Sequence, residues 1–213
     1  MENTNKTKAL LFDFDGVVAD SEKYYTGFWN EIGHTFLGRE NFGLEIKGCT
    51  LVSIINKYFP KTVWQELGCK LDEQEAQMQY DYISGFPEFL NQARSRGYKT
   101  AIVTSSNQRK MSNVFKQHPE LPQLFDRIFT SEDFTESKPS PQCYIKAGAY
   151  FGARGRDCVV FEDSINGLIS GRGSGAVVVG LSTTNPAEIV ADYSDLVVPD
   201  FTDAEKIFKF IEK

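Results

Sequence analysis

Five residues with oxygen-bearing side chains stand directly behind short apolar runs. Asp13 and Asp15 follow Ala9-Leu10-Leu11-Phe12, Thr104 follows Thr100-Ala101-Ile102-Val103, and Glu162 and Asp163 follow Cys158-Val159-Val160-Phe161. If these runs are neighbouring strands of one parallel sheet, their carboxyl ends open onto one crevice, where open α/β sheets bind ligands. Carboxylates crowded there cannot all stay ionised without a compensating charge. A hard cation suits them: Mg²⁺ takes oxygen ligands and is commonly held by one or two carboxylates together with substrate phosphate.

The elements that must position these groups are legible too. Three further apolar runs, Arg127-Ile128-Phe129-Thr130, Ala176-Val177-Val178-Val179 and Leu196-Val197-Val198, join the first three. None alternates polar with apolar residues, so both faces of each are expected to be buried. Helical stretches lie between them, with Pro87 and Pro141 placed to open helices and Gly97 and Gly152 to close them. The expected fold class is α/β, a doubly wound parallel sheet of the Rossmann kind.

From Ser21 to about Gly85 no strand is expected. Tyr24, Tyr25, Phe28, Trp29 and Ile32 share one helical face; Leu51, Val52, Ile54, Ile55, Tyr58 and Phe59 share a second, stopped by Pro60. Asp72 resembles the N-cap of a third helix. So long a segment is not a loop. Residues 19–85 are expected to form a small helical domain inserted into a discontinuous α/β core of residues 1–18 and 86–213.

Composition narrows the function. The chain has 213 residues with 23 basic and 29 acidic side chains, a net charge of -6. It lacks the basic footprint of a nucleic-acid binder. No run reaches the roughly 18 apolar residues of a membrane span, and the polar start gives no secretory signal. Neither nucleic acid nor membrane is an expected partner, and a cytoplasmic monomer is expected. The cysteines, Cys49, Cys69, Cys143 and Cys158, lack C-x-x-C spacing and read as reduced thiols. His34 and His118 are too few for a histidine-rich metal site and read as ordinary surface residues.

The motifs have a family resemblance. Asp13-Phe14-Asp15-Gly16-Val17-Val18, with Asp20-Ser21-Glu22, resembles the first motif of the haloacid dehalogenase superfamily. Thr104-Ser105-Ser106-Asn107 resembles the second, Lys138-Pro139-Ser140-Pro141 with Tyr144 the third, and Glu162-Asp163-Ser164 with Gly167 the fourth. Order and spacing match over essentially the whole chain, with the helical insertion where that family carries its cap. The nearest branch is that of β-phosphoglucomutase and the small sugar-phosphate phosphatases.

The resemblance implies roles. Asp13 would be the nucleophile that forms an aspartyl-phosphate. Asp15 would protonate the leaving oxygen and then deprotonate the attacking water. Thr104, Ser105 through its backbone N–H, and Lys138 would hold the phosphoryl group. Asp13, the backbone carbonyl of Asp15, Glu162 and Asp163 would hold Mg²⁺. Asp15 also separates this chain from the dehalogenating branch, which lacks a carboxylate there and uses no Mg²⁺.

Two departures bear on the reaction. Tyr25 stands where the resembling mutases carry a cap histidine. Leu51 stands where they carry an arginine that grips a distant phosphate, a fork a leucine cannot replace. Both favour a phosphatase acting on a small phosphorylated metabolite of the sugar-phosphate kind, with a hexose-phosphate mutase as the alternative and a non-catalytic phosphometabolite sensor behind it. Lys47 is the remaining candidate for a cap-side substrate contact. Gly171 and Gly173 are expected to soften the fourth-motif helix, since an interior glycine costs about 1 kcal/mol relative to alanine.

Overall fold

The computed structural model describes residues 9–46 and 51–213. Each of the six apolar runs forms a strand: β1 (Ala9–Phe12), β2 (Lys99–Val103), β3 (Arg127–Phe129), β4 (Cys158–Glu162), β5 (Val177–Leu181) and β6 (Leu196–Val198). All pair in parallel, in the order β3-β2-β1-β4-β5-β6. The order reverses beside β1, so the crevice between the ends of β1 and β4 is the topological switch point.

Two layers of helices bury the sheet. Eleven α-helices are present among the described residues: α1 (Glu22–Leu37), α2 (Phe42–Glu45), α3 (Leu51–Tyr58), α4 (Trp64–Gln77), α5 (Phe86–Ser95), α6 (Gln108–Gln117), α7 (Leu121–Leu124), α8 (Gln142–Tyr150), α9 (Ile165–Gly173), α10 (Ala187–Ala191) and α11 (Ala204–Ile211). Alternate side chains of β1 serve opposite cores. Leu10 and Phe12 join Phe86, Phe89, Phe161, Phe201 and Phe208 on one face. Ala9 and Leu11 join Tyr144, Ala147, Val160 and Leu168 on the other. Phe12 stacks on Phe161 at 4.6 Å between ring centroids, tying β1 to β4 under the crevice.

Helices α1 to α4 occupy the interval between β1 and α5 and have an apolar cluster of their own, with Phe28, Trp29, Ile32, Phe42, Ile54, Phe59 and Leu67 buried. The chain leaves and re-enters the sheet layer along paired segments. Asp20 N–H donates to the Asp81 carbonyl at 2.8 Å and Ile83 N–H to the Val18 carbonyl at 3.0 Å.

The structure corrects several details. Asp72 is no N-cap: it lies inside α4, which starts at Trp64. Leu51 and Val52 are not buried on a helix face; they are 43% and 65% exposed. His34 is exposed as expected, but His118 is not an ordinary surface residue. Its ring packs on Tyr82 at 4.4 Å, and its Nε2 lies 2.8 Å from the Tyr80 carbonyl. The glycines of α9 do not break it. A Cβ on Gly171 would lie 3.0 Å from Val160 and 3.1 Å from Val178, so the missing side chain lets the helix settle closely on the sheet. Cys69 is exposed, Cys143 and Cys158 are buried, and all three are free; Cys49 lies outside the described residues. No described helix is long and apolar enough to cross a membrane.

Candidate active site

Asp13 continues the line of β1: its N–H donates to the Phe161 carbonyl at 3.0 Å. The chain then turns sharply, with the Phe14 carbonyl accepting from the N–H groups of Val18 and Ala19, both at 2.9 Å. Gly16 makes that turn possible. Its φ is +72°, and a Cβ there would meet Asp163 Oδ2 at 1.9 Å.

Two residues on, Asp15 faces a separate set of donors. Its Oδ1 accepts from Ser21 Oγ at 2.6 Å and Lys110 Nζ at 2.6 Å, and its Oδ2 from Ser106 Oγ at 2.9 Å and Lys110 Nζ at 2.5 Å. Behind β2, the Thr104 N–H donates to the Phe129 carbonyl at 3.0 Å, and Thr104 Oγ1 accepts the Ser106 N–H at 3.0 Å. This short turn delivers Ser106 to Asp15 and leaves Ser105 exposed at the crevice. Asn107 then caps α6, accepting the Lys110 N–H at 2.9 Å.

Lys138 reaches the centre from the segment before α8. Its Nζ donates to Asp13 Oδ1 at 2.9 Å, Glu162 Oε1 at 2.6 Å and the Val103 carbonyl at 3.1 Å. Glu162 is fully buried and heavily engaged. Besides Lys138, its Oε1 accepts from Tyr144 OH at 2.8 Å; its Oε2 accepts from Ser164 Oγ at 3.1 Å and the N–H groups of Asp163 and Ser164 at 3.2 and 3.3 Å. Gly167 makes room for it, since a Cβ there would fall 1.9 Å from the carboxylate. Asp163 receives the Thr184 hydroxyl, and the Asn185 amide donates to its backbone carbonyl at 2.9 Å.

The electrostatics divide the carboxylates. Burial, with Glu162 and Asp15 nearby, pushes Asp13 up to about 7 despite the pull of Lys138. Burial, Glu162 and Asp13 push Asp163 well above the usual carboxylate range. Asp15 is held below that range: its burial is outweighed by Lys110 and the two serine hydroxyls. Lys138 is raised by Asp13 and Glu162 in spite of its burial.

One carboxylate oxygen from each of Asp13, Glu162 and Asp163 lies within 4.8 Å of the others. Lys138 answers for two of these acids, while Asp163 has no ion pair among the described residues. A buried, under-compensated set of hard oxygen donors fits Mg²⁺ and does not fit a soft-ligand metal.

The sequence profile of the haloacid dehalogenase-like hydrolases matches residues 10–181. The chain belongs to that family. "Putative phosphatase YhcW" of Bacillus subtilis is 29% identical over 79% of this chain and 80% of its own length. The bifunctional riboflavin kinase/FMN phosphatase of Arabidopsis thaliana is 27% identical over 80% of this chain, which spans only 45% of that longer protein. The fold of a HAD hydrolase, family IA, variant 3, from Entamoeba histolytica superposes with a TM-score of 0.81 at 21% identity, covering 97% of this chain and 100% of that one.

In this hydrolase the carboxylates open into a cavity of about 640 Å³ between the sheet ends and the inserted helices. The core supplies Thr104, Ser105, Lys138 and Asp163 to its lining. The inserted helices supply Tyr25, Trp29, Ile46, Leu51, Val52, Ile54 and Leu71, with Glu22, Asp72 and Glu75 as their charged contribution. No lysine or arginine of the described inserted residues lines it. Tyr25 donates to Glu75 at 2.8 Å and so is tied down inside the insertion. Lys47 lies outside the described residues.

Asp13, Lys138, Glu162 and Asp163 thus meet, and Thr104 and Ser105 line the same cavity. Sequence reasoning missed Lys110 and Thr184. Lys110 had one detectable signal: it sits in the first turn of a helix, where a cation opposes the helix dipole.

Proposed function

We propose that this hydrolase is a Mg²⁺-dependent phosphatase that acts on a small phosphorylated metabolite of the sugar-phosphate kind. The observation that carries the reading is the meeting of Asp13, Lys138 and Asp163 at the switch point. The family match and the phosphatase names of two relatives support it. Residues 19–85 act as a cap on a core of 1–18 and 86–213, and the protein works as a cytoplasmic monomer.

Asp13 attacks the phosphorus, and the ester oxygen leaves. Thr104, the Ser105 N–H and Lys138 hold the phosphoryl oxygens, where preorganised donors favour the developing charge. Asp13, the Asp15 carbonyl and Asp163 are the residues to hold Mg²⁺; Glu162 belongs to the same acidic cluster but spends its oxygens on Lys138, Tyr144 and the following loop. Mg²⁺ bound there would offset the negative charge of ester and carboxylates. Water then attacks the aspartyl-phosphate and passes its proton to Asp15. The ionised state of Asp15 suits that second step at once; protonating a poor leaving group first requires Asp15 to gain a proton.

Two cap residues favour the phosphatase over the mutase alternative: a mutase must hold a sugar carrying phosphate at both ends, and Leu51, which lines the cavity, stands where the resembling mutases carry an arginine, as Tyr25 stands in place of their histidine. A sensor has no use for both Asp13 and Asp15. Lys47 remains the proposed cap-side contact.

The test is a panel of metabolite phosphates with Mg²⁺, including β-glucose 1-phosphate, following inorganic phosphate and glucose 6-phosphate together. Phosphate release that disappears in Asp13→Asn is expected. Isomerisation outpacing phosphate release would make the chain a mutase, and silence on every ester would remove the catalytic reading.

A further inference from the structure

We infer that Lys110 is a positioning residue for Asp15 in the water-activating step, an inference that rests on the phosphatase reading above. Lys110 belongs to none of the four motifs. Its side chain is 3% exposed and its ammonium reaches both oxygens of Asp15, at 2.6 and 2.5 Å. Its Nζ lies 5.7 Å from the ring centroid of Phe14 and 4.9 Å from that of Tyr25.

Three points argue that this lysine serves the carboxylate rather than its own helix. It lies in the first turn of α6, where a cation is unfavourable. Burying an ammonium is costly unless it is paired, and Asp15 is its ion-pair partner among the described residues. The other donors to Asp15 are two hydroxyls, one to each oxygen. A hydroxyl rotor can turn away to let an incoming water bond the carboxylate. The ammonium, gripping both oxygens, keeps the carboxylate plane fixed while that exchange occurs.

The step at issue balances simply. The water oxygen forms a bond to phosphorus, the bond from phosphorus to Asp13 breaks with its electron pair returning to the Asp13 carboxylate, and the water proton passes to an Asp15 oxygen. Asp15 later releases that proton to solvent. Formation of the aspartyl-phosphate from p-nitrophenyl phosphate needs no such help, because p-nitrophenolate leaves without a proton. Loss of Lys110 should therefore slow the second step selectively.

Rapid mixing of the Mg²⁺-loaded protein with p-nitrophenyl phosphate tests this. For Lys110→Met we expect a burst approaching one p-nitrophenolate per protein, then a steady rate at least about tenfold below wild type, a part of the about 10²–10⁴-fold that a general base contributes, with KM not raised. Lys110→Gln, which keeps an uncharged amide donor group, should fall between the two, and it carries the test if the Met variant does not fold. A merely structural role would slow both steps together and give no burst. Wild-type turnover beside a burst-free variant, or beside variants of undiminished rate, overturns the inference alone. A wild type that releases no phosphate overturns the reading beneath it as well.

Discussion

Lys138 Nζ lies 2.9 Å from Asp13 Oδ1, and the same ammonium lies 2.6 Å from Glu162, so one buried cation answers for two buried carboxylates. Lys138→Met would leave both acids uncompensated. Breaking a buried pair in this way costs about 3–5 kcal/mol, and losing a preorganised donor to the reacting group costs about 10²–10³ in kcat. Adding Glu162→Gln should restore part of the stability and none of the activity. Denaturant melts and phosphate-release assays on the single and double variants check both halves.

The raised Asp13 gives a pH dependence of definite sign. Folded Asp13 titrates at about 7, whereas unfolded it is an ordinary carboxyl of 3.8. Between those values the folded state binds more protons, so the contribution of Asp13 to stability falls as pH rises through that window. Below the window both states are protonated and nothing is lost. In metal-free protein, Asp13→Asn should therefore gain in Tm over wild type as pH rises from 5 to 7, by several degrees, since about 1 kcal/mol shifts a domain of this size by about 2–4 °C. A constant difference between the two melting curves would contradict the electrostatic account of the site.

Two glycines should respond oppositely to alanine. At Gly167 a Cβ would fall 1.9 Å from the Glu162 carboxylate, which is pinned by five donors and has nowhere to go. Gly167→Ala should destabilise by about 1–3 kcal/mol, as overpacking does, and reduce activity through displacement of Lys138. At Gly27, inside α1, a Cβ meets nothing within 4 Å. Gly27→Ala should stabilise by about 1 kcal/mol. Thermal melts of the two variants give the comparison directly.

Leu51 lines the cavity and is 43% exposed, so a longer polar side chain can be accommodated there. Leu51→Arg should raise kcat/KM for a sugar bisphosphate relative to the matching monophosphate by about tenfold, as expected for one charge-assisted hydrogen bond worth about 1.5–3 kcal/mol when partly solvated. Steady-state assays on the two esters measure the ratio. An unchanged ratio would mean that the distant end of the substrate does not reach this wall.

Much of this was legible in the sequence because a parallel sheet turns residue order into geometry. Each apolar run became a strand, and Asp13, Thr104 and Asp163 share a crevice simply because each follows a strand end. Asp72 misled because it stands in a polar stretch with the look of a helix start. The helix was already under way: Leu67, Leu71 and Glu75 continue one inward face through it, and Asp72 turns to the cavity, where it pairs with Arg109 of the core. Lys110 was hidden for another reason. Its pairing with Asp15 joins residues 95 positions apart, and only the folded turn after β2 brings them together.

The central claim is that Asp13 becomes phosphorylated during turnover. Rapid acid quenching of the Mg²⁺-loaded protein during hydrolysis of a ³²P-labelled ester, followed by peptide mapping, tests it most directly. The account predicts label on the peptide that contains Asp13, located at Asp13 itself by borohydride reduction, and none in Asp13→Asn. Turnover with no protein-bound phosphate, or label located at Asp15 or Asp163, would contradict it.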